Sequence, residues 1–260
     1  MRTRIKTHPK IKRIALAAIR SFGLLRKPIT MFRFLGGWIR FLGAGGDAFP
    51  LDFYPCLDDN TSETAIDYHA FYQPIWLLKH VLKNQPNRHV DIGSQVTTAG
   101  MLSAICPVDF VDIRPVPIAT ERFKSQAGSI LDLPYSAKSL ESVSSLHVLE
   151  HVGLGRYGDP IQANGPELAA KELVRALAPY GRLYVTTPIG RPKVSFNAHR
   201  IFSVAEILNM FRGLDCVEFS VVDFLGKYRE AVSKYILPEL LQQVSGNDFC
   251  LGMFVFRRMT

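Results

Sequence analysis

The fold is read most directly from residues 88–115, RHVDIGSQVTTAGMLSAICPVDFVDIRP. RHVDIGS has the character of a short strand running into a small-residue turn, TTAGMLSAI that of a helix, and VDFVDIRP that of a second strand. Strands that alternate with helices build an open α/β sheet. In such sheets ligands bind beyond the carboxyl ends of the strands. The first strand ends in Asp91-Ile92-Gly93-Ser94. There Gly93 permits a tight turn and a close backbone approach, and the following helix offers unpaired N–H groups. Asp112 ends the second strand, 21 positions after Asp91. A carboxylate at that place and spacing can accept hydrogen bonds from two ribose hydroxyls.

The remaining chain extends the alternation. GSILDLPY (residues 128–135) reads as a third strand with Asp132 at its end, able to meet a purine edge, and ESVSSLHVL (141–149) as a fourth. A helix is expected over 166–177, a turn at Pro179-Tyr180-Gly181, and a fifth strand in RLYVTTP. SVAEILNMF is a helix capped by Ser203, and CVEFSVVDF and FCLGMFVFRR are two last strands that suggest an antiparallel edge pair. Upstream, residues 63–83 look helical with an interruption near Pro74. A single Asp at a strand end is an ordinary turn former or helix cap. Three at successive strand ends beside a glycine turn point to a cofactor crevice.

Charge is unevenly distributed. The net formal charge is +8, yet residues 1–45 hold eleven Lys or Arg and no Asp or Glu, leaving 20 basic and 23 acidic side chains in the other 215 residues. A nucleic-acid-binding domain would carry its basic footprint on the fold itself, so no nucleic-acid partner is expected. The leader KIKRIALAAIRSFGLLRKPITMFRFLGGWIRFLG has apolar runs too short for a membrane span and no signal-peptide cleavage site. Two amphipathic helices broken at Pro28 would lie on an anionic membrane surface; packing as an arm on the protein or on a partner is the other reading. The expected organisation is a basic segment over 1–45, a helical lead-in or cap over 46–87, and the sheet domain over 88–260. Cys56, Cys106, Cys216 and Cys250 are widely spaced, which suits reduced thiols in a cytoplasmic protein rather than zinc ligands or a disulfide framework.

His147-Val-Leu-Glu150-His151 is an H-x-x-E-H string, the inverted zinc-protease signature. Zinc binding would need all three side chains on one continuous helix. ESVSSLHV is strand-like and GLGRYG soon stops any helix, so no metal is expected.

The stretches HVDIGS, FVDIRP, GSILDLPYSAKSLESVSSLHVLEHV and ELVRALAPYGRLYVTTP resemble, in order and spacing, the class I S-adenosylmethionine-dependent methyltransferases over about residues 88–260. The resemblance implies a Rossmann-like, mostly parallel seven-stranded sheet with an antiparallel last strand and helices on both faces. It implies S-adenosylmethionine as cofactor, held by Asp91, Gly93, Ser94, Asp112, Asp132 and Leu133. HVDIGS, SLHVLEHVGLGRYGDPI and FNAHRIFS also look like a domain-of-unknown-function family within that superfamily, which implies a setting in cell-surface polysaccharide assembly. The glycine loop departs from the family's Asp-x-Gly-x-Gly-x-Gly, with Gln95 and Thr97 in the second and third glycine places. Larger side chains there could narrow or rearrange the methionine end. No G-x-G-x-x-G follows the first strand, which argues against a hydride-transferring Rossmann enzyme.

Methyl transfer to oxygen needs in-line positioning and removal of a proton. His147, at the tip of the fourth strand, is the first candidate base and His151 the second. GLGRYGDP (153–160) suggests a phosphate loop but lacks the G-K-[ST] ending. Arg156 and Tyr157 in that loop could contact a sugar, and FNAHRIFS brings Asn197, His199 and Arg200 to the same rim. Arg200 could pair with an anionic acceptor or tie down the loop before Ser203. The expected function is O-methylation of a glycan or sugar-linked intermediate, with a non-catalytic scaffold in polymer assembly as the alternative.

Overall fold

The computed structural model describes residues 28–230 and 249–260. The first of the two expected leader helices falls outside these residues. By internal contacts the chain divides into Met1–Ala65 and Ile66–Thr260.

In the first unit, α1 spans Pro28–Gly43. Pro28 therefore opens a helix, as its fixed φ and missing N–H favour. Phe53 returns against α1 and meets Phe34 and Trp38 edge-on, each pair of ring centroids 5.1 Å apart. The Trp38 indole N–H donates to the Ala48 carbonyl at 2.9 Å.

The second unit is an α/β sheet with helices on both faces. Its elements in chain order are α2 (Tyr68–Asn84), β1 (His89–Ile92), α3 (Val96–Leu102), β2 (Val108–Asp112), β3 (Phe123–Ala127), β4 (Leu140–Leu146), α4 (Gly165–Ala176), β5 (Leu177–Ile189), β6 (Lys193–Ser195), β7 (His199–Ile201), α5 (Val204–Met210), β8 (Asp215–Val222), β9 (Tyr228–Arg229) and β10 (Cys250–Arg257). The sheet order is β3-β2-β1-β4-β5-β10-β8-β9, while β6 and β7 form a separate hairpin. Strands β1 to β5 pair in parallel. β10 runs antiparallel between β5 and β8, so the last strand is inserted into the sheet rather than forming its edge. An eighth strand, β9, adds two residues to the expected seven and pairs antiparallel with β8.

Alternation along the strands feeds two cores. Phe254 and Phe256 of β10, with Val90 and Ile92 of β1, pack with Leu173 of α4 and Ile207 of α5. Leu251, Met253 and Val255 face the other way, onto Trp76, Leu77 and Val81 of α2 and Leu102 of α3. Ser203 closes a capping box with Glu206 at the start of α5.

Two sequence expectations need correction. The third strand is FKSQA, not GSILDLPY: residues 129–132 close a turn in which the Asp132 N–H donates to the Ser129 carbonyl at 3.0 Å. Only Phe123 of β3 is buried, so its pattern carries little apolar signal. The apolar run that follows fills the core from the turn, through Ile130 and Leu133. Likewise α2 runs unbroken through Pro74. Capping by Asp67, which accepts from the His69 and Ala70 N–H groups at 2.9 and 3.1 Å, and the burial of Trp76, Leu77 and Val81 offset the backbone bond that Pro74 forgoes.

Candidate functional site

Beyond the carboxyl ends of β1, β2 and β4 lies a cavity of about 480 Å³, within the range of small-molecule sites. Its first wall is the β1 turn. Gly93 has φ 68°, and a Cβ there would stand 3.3 Å from Val148 and 3.9 Å from Asp112 Oδ2. The absence of a side chain thus leaves room between β1 and the β4 tip. Asp112 lines the same wall. Its Oδ1 accepts the Arg114 N–H at 2.7 Å, which fixes the carboxyl at the cavity edge.

Asp91 does not line the cavity but lies beneath it, fully buried. Burial pushes its carboxyl up to about 6, against the pull of hydrogen bonds from Ser144 and Ser94. The Ser94 N–H donates to Asp91 Oδ1 at 3.2 Å, and Ser94 Oγ accepts from the Leu146 N–H at 3.0 Å. The β1 turn is thereby tied to the end of β4. The Ser144 hydroxyl donates to Asp91 Oδ2, and both nitrogens of the buried His89 are held, by Ser144 and Ser142, at 2.8 Å each. Burial pushes the His89 imidazole down to about 3.

Of the glycine-loop departures, Gln95 lines the cavity, whereas Thr97 is exposed and does not. The segment that follows β3 bounds the cavity with Ser129, Ile130 and Leu131. Asp132 and Leu133 are not in the wall: Asp132 is exposed, and Leu133 is core, its N–H given to Glu172 at 2.8 Å. Ser129, Ile130 and Leu131, which reach the wall, lie one to three positions before Asp132.

His147 stands at the β4 tip and lines the cavity. Its backbone has φ 55°, a left-handed conformation costing a side-chain-bearing residue about 1–2 kcal/mol. The N–H is held by the Thr186 carbonyl at 3.0 Å and hydroxyl oxygen at 3.1 Å, and Thr186 in turn donates to Gln73 of α2. His147 Nδ1 lies 2.5 Å from Glu150 Oε1. A carboxylate there accepts Nδ1–H and leaves the Nε2 lone pair for the cavity. Glu150 is 1% exposed, and its other oxygen takes the Thr187 hydroxyl at 3.3 Å.

The H-x-x-E-H string is thus a strand end, a left-handed residue and a 3-10 turn over Leu149–His151, not one helix. His151 Nδ1 donates to the Ala198 carbonyl at 2.7 Å, a rim tie that Arg156 Nη1 shares at 3.0 Å.

The glycine-rich loop binds its own anion. Asp159 accepts the N–H groups of Gly153, Gly155 and Tyr157 at 2.7, 3.3 and 3.2 Å. Burial raises its carboxyl, but these backbone donors outweigh burial and hold it below the usual range. Gly153 is at φ 80°, and a Cβ there would sit 2.0 Å from the Gln162 carbonyl oxygen. Donors that a phosphate would need are therefore occupied. Tyr157 lines the cavity with Arg114 and Arg156 over its ring, 4.5 and 5.1 Å from the centroid.

Of the FNAHRIFS residues, Asn197 is exposed and outside the wall. Arg200 donates to the Val152 and Ala163 carbonyls at 2.6 and 3.3 Å, tying down the loop. His199 reaches the site through Phe249, with ring centroids 5.5 Å apart. Phe249 itself lines the cavity and meets His69 of α2 at 5.4 Å. His69 stacks on His147 at 6.2 Å. Burial, then the neighbouring His147, pushes His69 down to about 4. Sequence reasoning missed His69, Phe249 and Asp159, although a capping Asp67 two residues before His69 marks that helix start.

These groups set an expected pH response. His69 and His89 titrate near 4 and 3 when folded, against 6.5 when unfolded, so their contribution is complete above pH 6.5 and lost as pH falls through 4 and 3. Asp91, raised from 3.8 to about 6, acts oppositely, contributing most below 3.8 and losing that contribution as pH rises through 6. Two imidazoles outweigh one carboxyl. The urea midpoint is expected to fall steadily from pH 6.5 to 4, and a midpoint constant or rising over that window would contradict neutral, buried imidazoles.

Residues 116–232 match a family described as Caenorhabditis protein of unknown function, DUF268. No curated protein matches the chain. Among solved structures, the chain is similar to the [4+2]-cyclase SpnF, with a TM-score of 0.55 and 16% identity, covering 83% of this chain and 90% of that one. It is also similar to the N-methyltransferase NodS from Bradyrhizobium japonicum in complex with S-adenosyl-L-homocysteine, with a TM-score of 0.51 and 16% identity, covering 79% and 92%. At these identities the likeness is one of fold, and the chain has the class I methyltransferase fold.

Proposed function

We propose that the chain is an S-adenosylmethionine-dependent methyltransferase acting on a hydroxyl of a glycan or sugar-linked intermediate. The observation that carries this reading is His147, held by the buried Glu150 at the β4 tip and lining the same cavity as Gly93 and Asp112. The residues fit the cofactor. Gly93 leaves the backbone approach open where a Cβ would crowd Val148, Asp112 offers a carboxylate acceptor for ribose hydroxyls, and Ile130 and Leu131 offer an apolar wall. When bound, S-adenosylmethionine would supply an electrophilic methyl whose bond electrons leave with sulfur as the acceptor oxygen bonds to carbon.

The chain's own part is to orient the acceptor, exclude water and take the proton. Glu150 fixes the His147 tautomer, and Nε2 receives the hydroxyl proton. Phe249 and the neutral His69 wall the acceptor side with ring faces suited to a sugar's C–H surface. Ser94 lines the cavity beside Gly93, whereas Asp91, Arg156, His199 and Arg200 position this wall from behind it.

Gln95 in the wall favours a second reading, a methyltransferase-fold scaffold in polymer assembly. The name of the cyclase relative is a reminder that one fold hosts several chemistries. Calorimetric titration with S-adenosylmethionine and with S-adenosylhomocysteine separates the two readings. Saturable binding is expected for both, and no binding of either to folded protein would overturn the enzyme assignment.

A further inference from the structure

We propose that the outer face of α1 docks on an anionic lipid surface, lying along it rather than crossing it. The helix has two opposed faces. Phe34 and Trp38 point to the side closed by Phe53 and Ala48. On the opposite arc, Ile29, Phe32 and Ile39 are 74%, 74% and 62% exposed. Spacings of three, seven and ten residues put these three on one stripe. Gly36 continues the stripe between them, and Arg33 and Arg40 border it. Large apolar side chains lined along a helix with cations at their edge are the pattern of interfacial helices: the apolar groups enter the acyl boundary while guanidinium groups meet lipid phosphates.

Charge identifies the occupant. α1 contains no acidic residue, and neither does any position from 1 to 45. The sequence preceding α1 adds nine Lys or Arg. A second copy seated on this face by two-fold symmetry would bring Arg33 and Arg40 against their own kind, with no carboxylate in the helix to answer them. An anionic bilayer satisfies both the stripe and its border. Length sets the mode of contact. Sixteen residues extend about 24 Å, short of the roughly 30 Å hydrocarbon core, and among the described residues no helix is long and apolar enough to cross a membrane.

The test is flotation of the full chain with phosphatidylcholine vesicles, with and without phosphatidylserine. Binding is expected only to the serine-lipid vesicles and to weaken as salt rises. Phe32→Glu/Ile39→Glu should lower the bound fraction at least about tenfold, and Arg33→Glu/Arg40→Glu should lower it too. Both pairs are exposed, so circular dichroism should remain that of the wild type. Full binding by Phe32→Glu/Ile39→Glu would assign the contact to the preceding basic residues and overturn the role of α1. Equal binding to neutral vesicles, or none to either, would overturn the proposal outright. Dissociation of a dimer by the same variant, with lipid binding unchanged, would give the face to a second copy instead.

Discussion

Replacing His147 by Ala is expected to lower kcat about 10²- to 10⁴-fold, the usual contribution of a positioned base, while the cofactor's Kd stays within a fewfold. The imidazole is 28% exposed at the side chain, so truncation removes a base without emptying a core. The change also relieves nothing in the backbone, because Ala keeps the Cβ that makes φ 55° unfavourable. Glu150→Gln is the sharper companion. A neutral amide can donate to Nδ1 and leave the proton on Nε2, the wrong tautomer for accepting one. Activity should then fall with KM nearly unchanged. A kcat that survives His147→Ala would remove this residue from the reaction. An unchanged kcat in Glu150→Gln would reduce Glu150 to packing.

The second large effect is on binding. Asp112→Ala is expected to weaken S-adenosylhomocysteine binding roughly 10- to 100-fold, since hydrogen bonds to a charged group contribute about 1.5–3 kcal/mol. Asp112 also accepts the Arg114 N–H, so truncation could act through the turn alone. Asp112→Asn separates the causes: it keeps an acceptor for that N–H and loses the charge and one acceptor. A loss in Asn intermediate between wild type and Ala is expected by calorimetry. Wild-type affinity in both variants would show that no ribose meets this carboxyl.

The two effects come from opposite sides of one cavity, and the structure explains how they stay in register. Ser94 links the β1 turn to Leu146 of β4, one residue before His147. Asp91, His89, Ser142 and Ser144 form a buried polar row across β1 and β4. On the other side, Thr186 of β5 and Gln73 of α2 hold the His147 backbone. The β1 turn and His147 are thus parts of one hydrogen-bonded lattice.

The alternation of strands and helices, the β1 turn at Gly93, Asp112 at a strand end and His147 at a strand tip were all legible in the sequence. They depend on local rules: a two-residue period, a glycine turn, a residue's place in its own element. The same rules failed for β3, because an edge strand with one buried residue has almost no pattern to read. They failed again at Pro74, where tertiary burial of α2 overrode a local breaker. Which of the rim residues face the cavity was not local at all. Arg200 and Arg156 were recognisable as cations, but only the folded chain brings them to the carbonyls of Val152 and Ala198, more than 40 positions away. Asp159 became an internal anion because the loop folded back on it, and Phe249 met His69 from 180 positions away along the chain. Sequence by itself determined which polar side chains and turns stand at the ends of β1, β2 and β4. Tertiary structure alone decided which groups line the cavity and which are spent on one another, because hydrogen bonds and ring contacts pair by distance in space and not by separation along the chain.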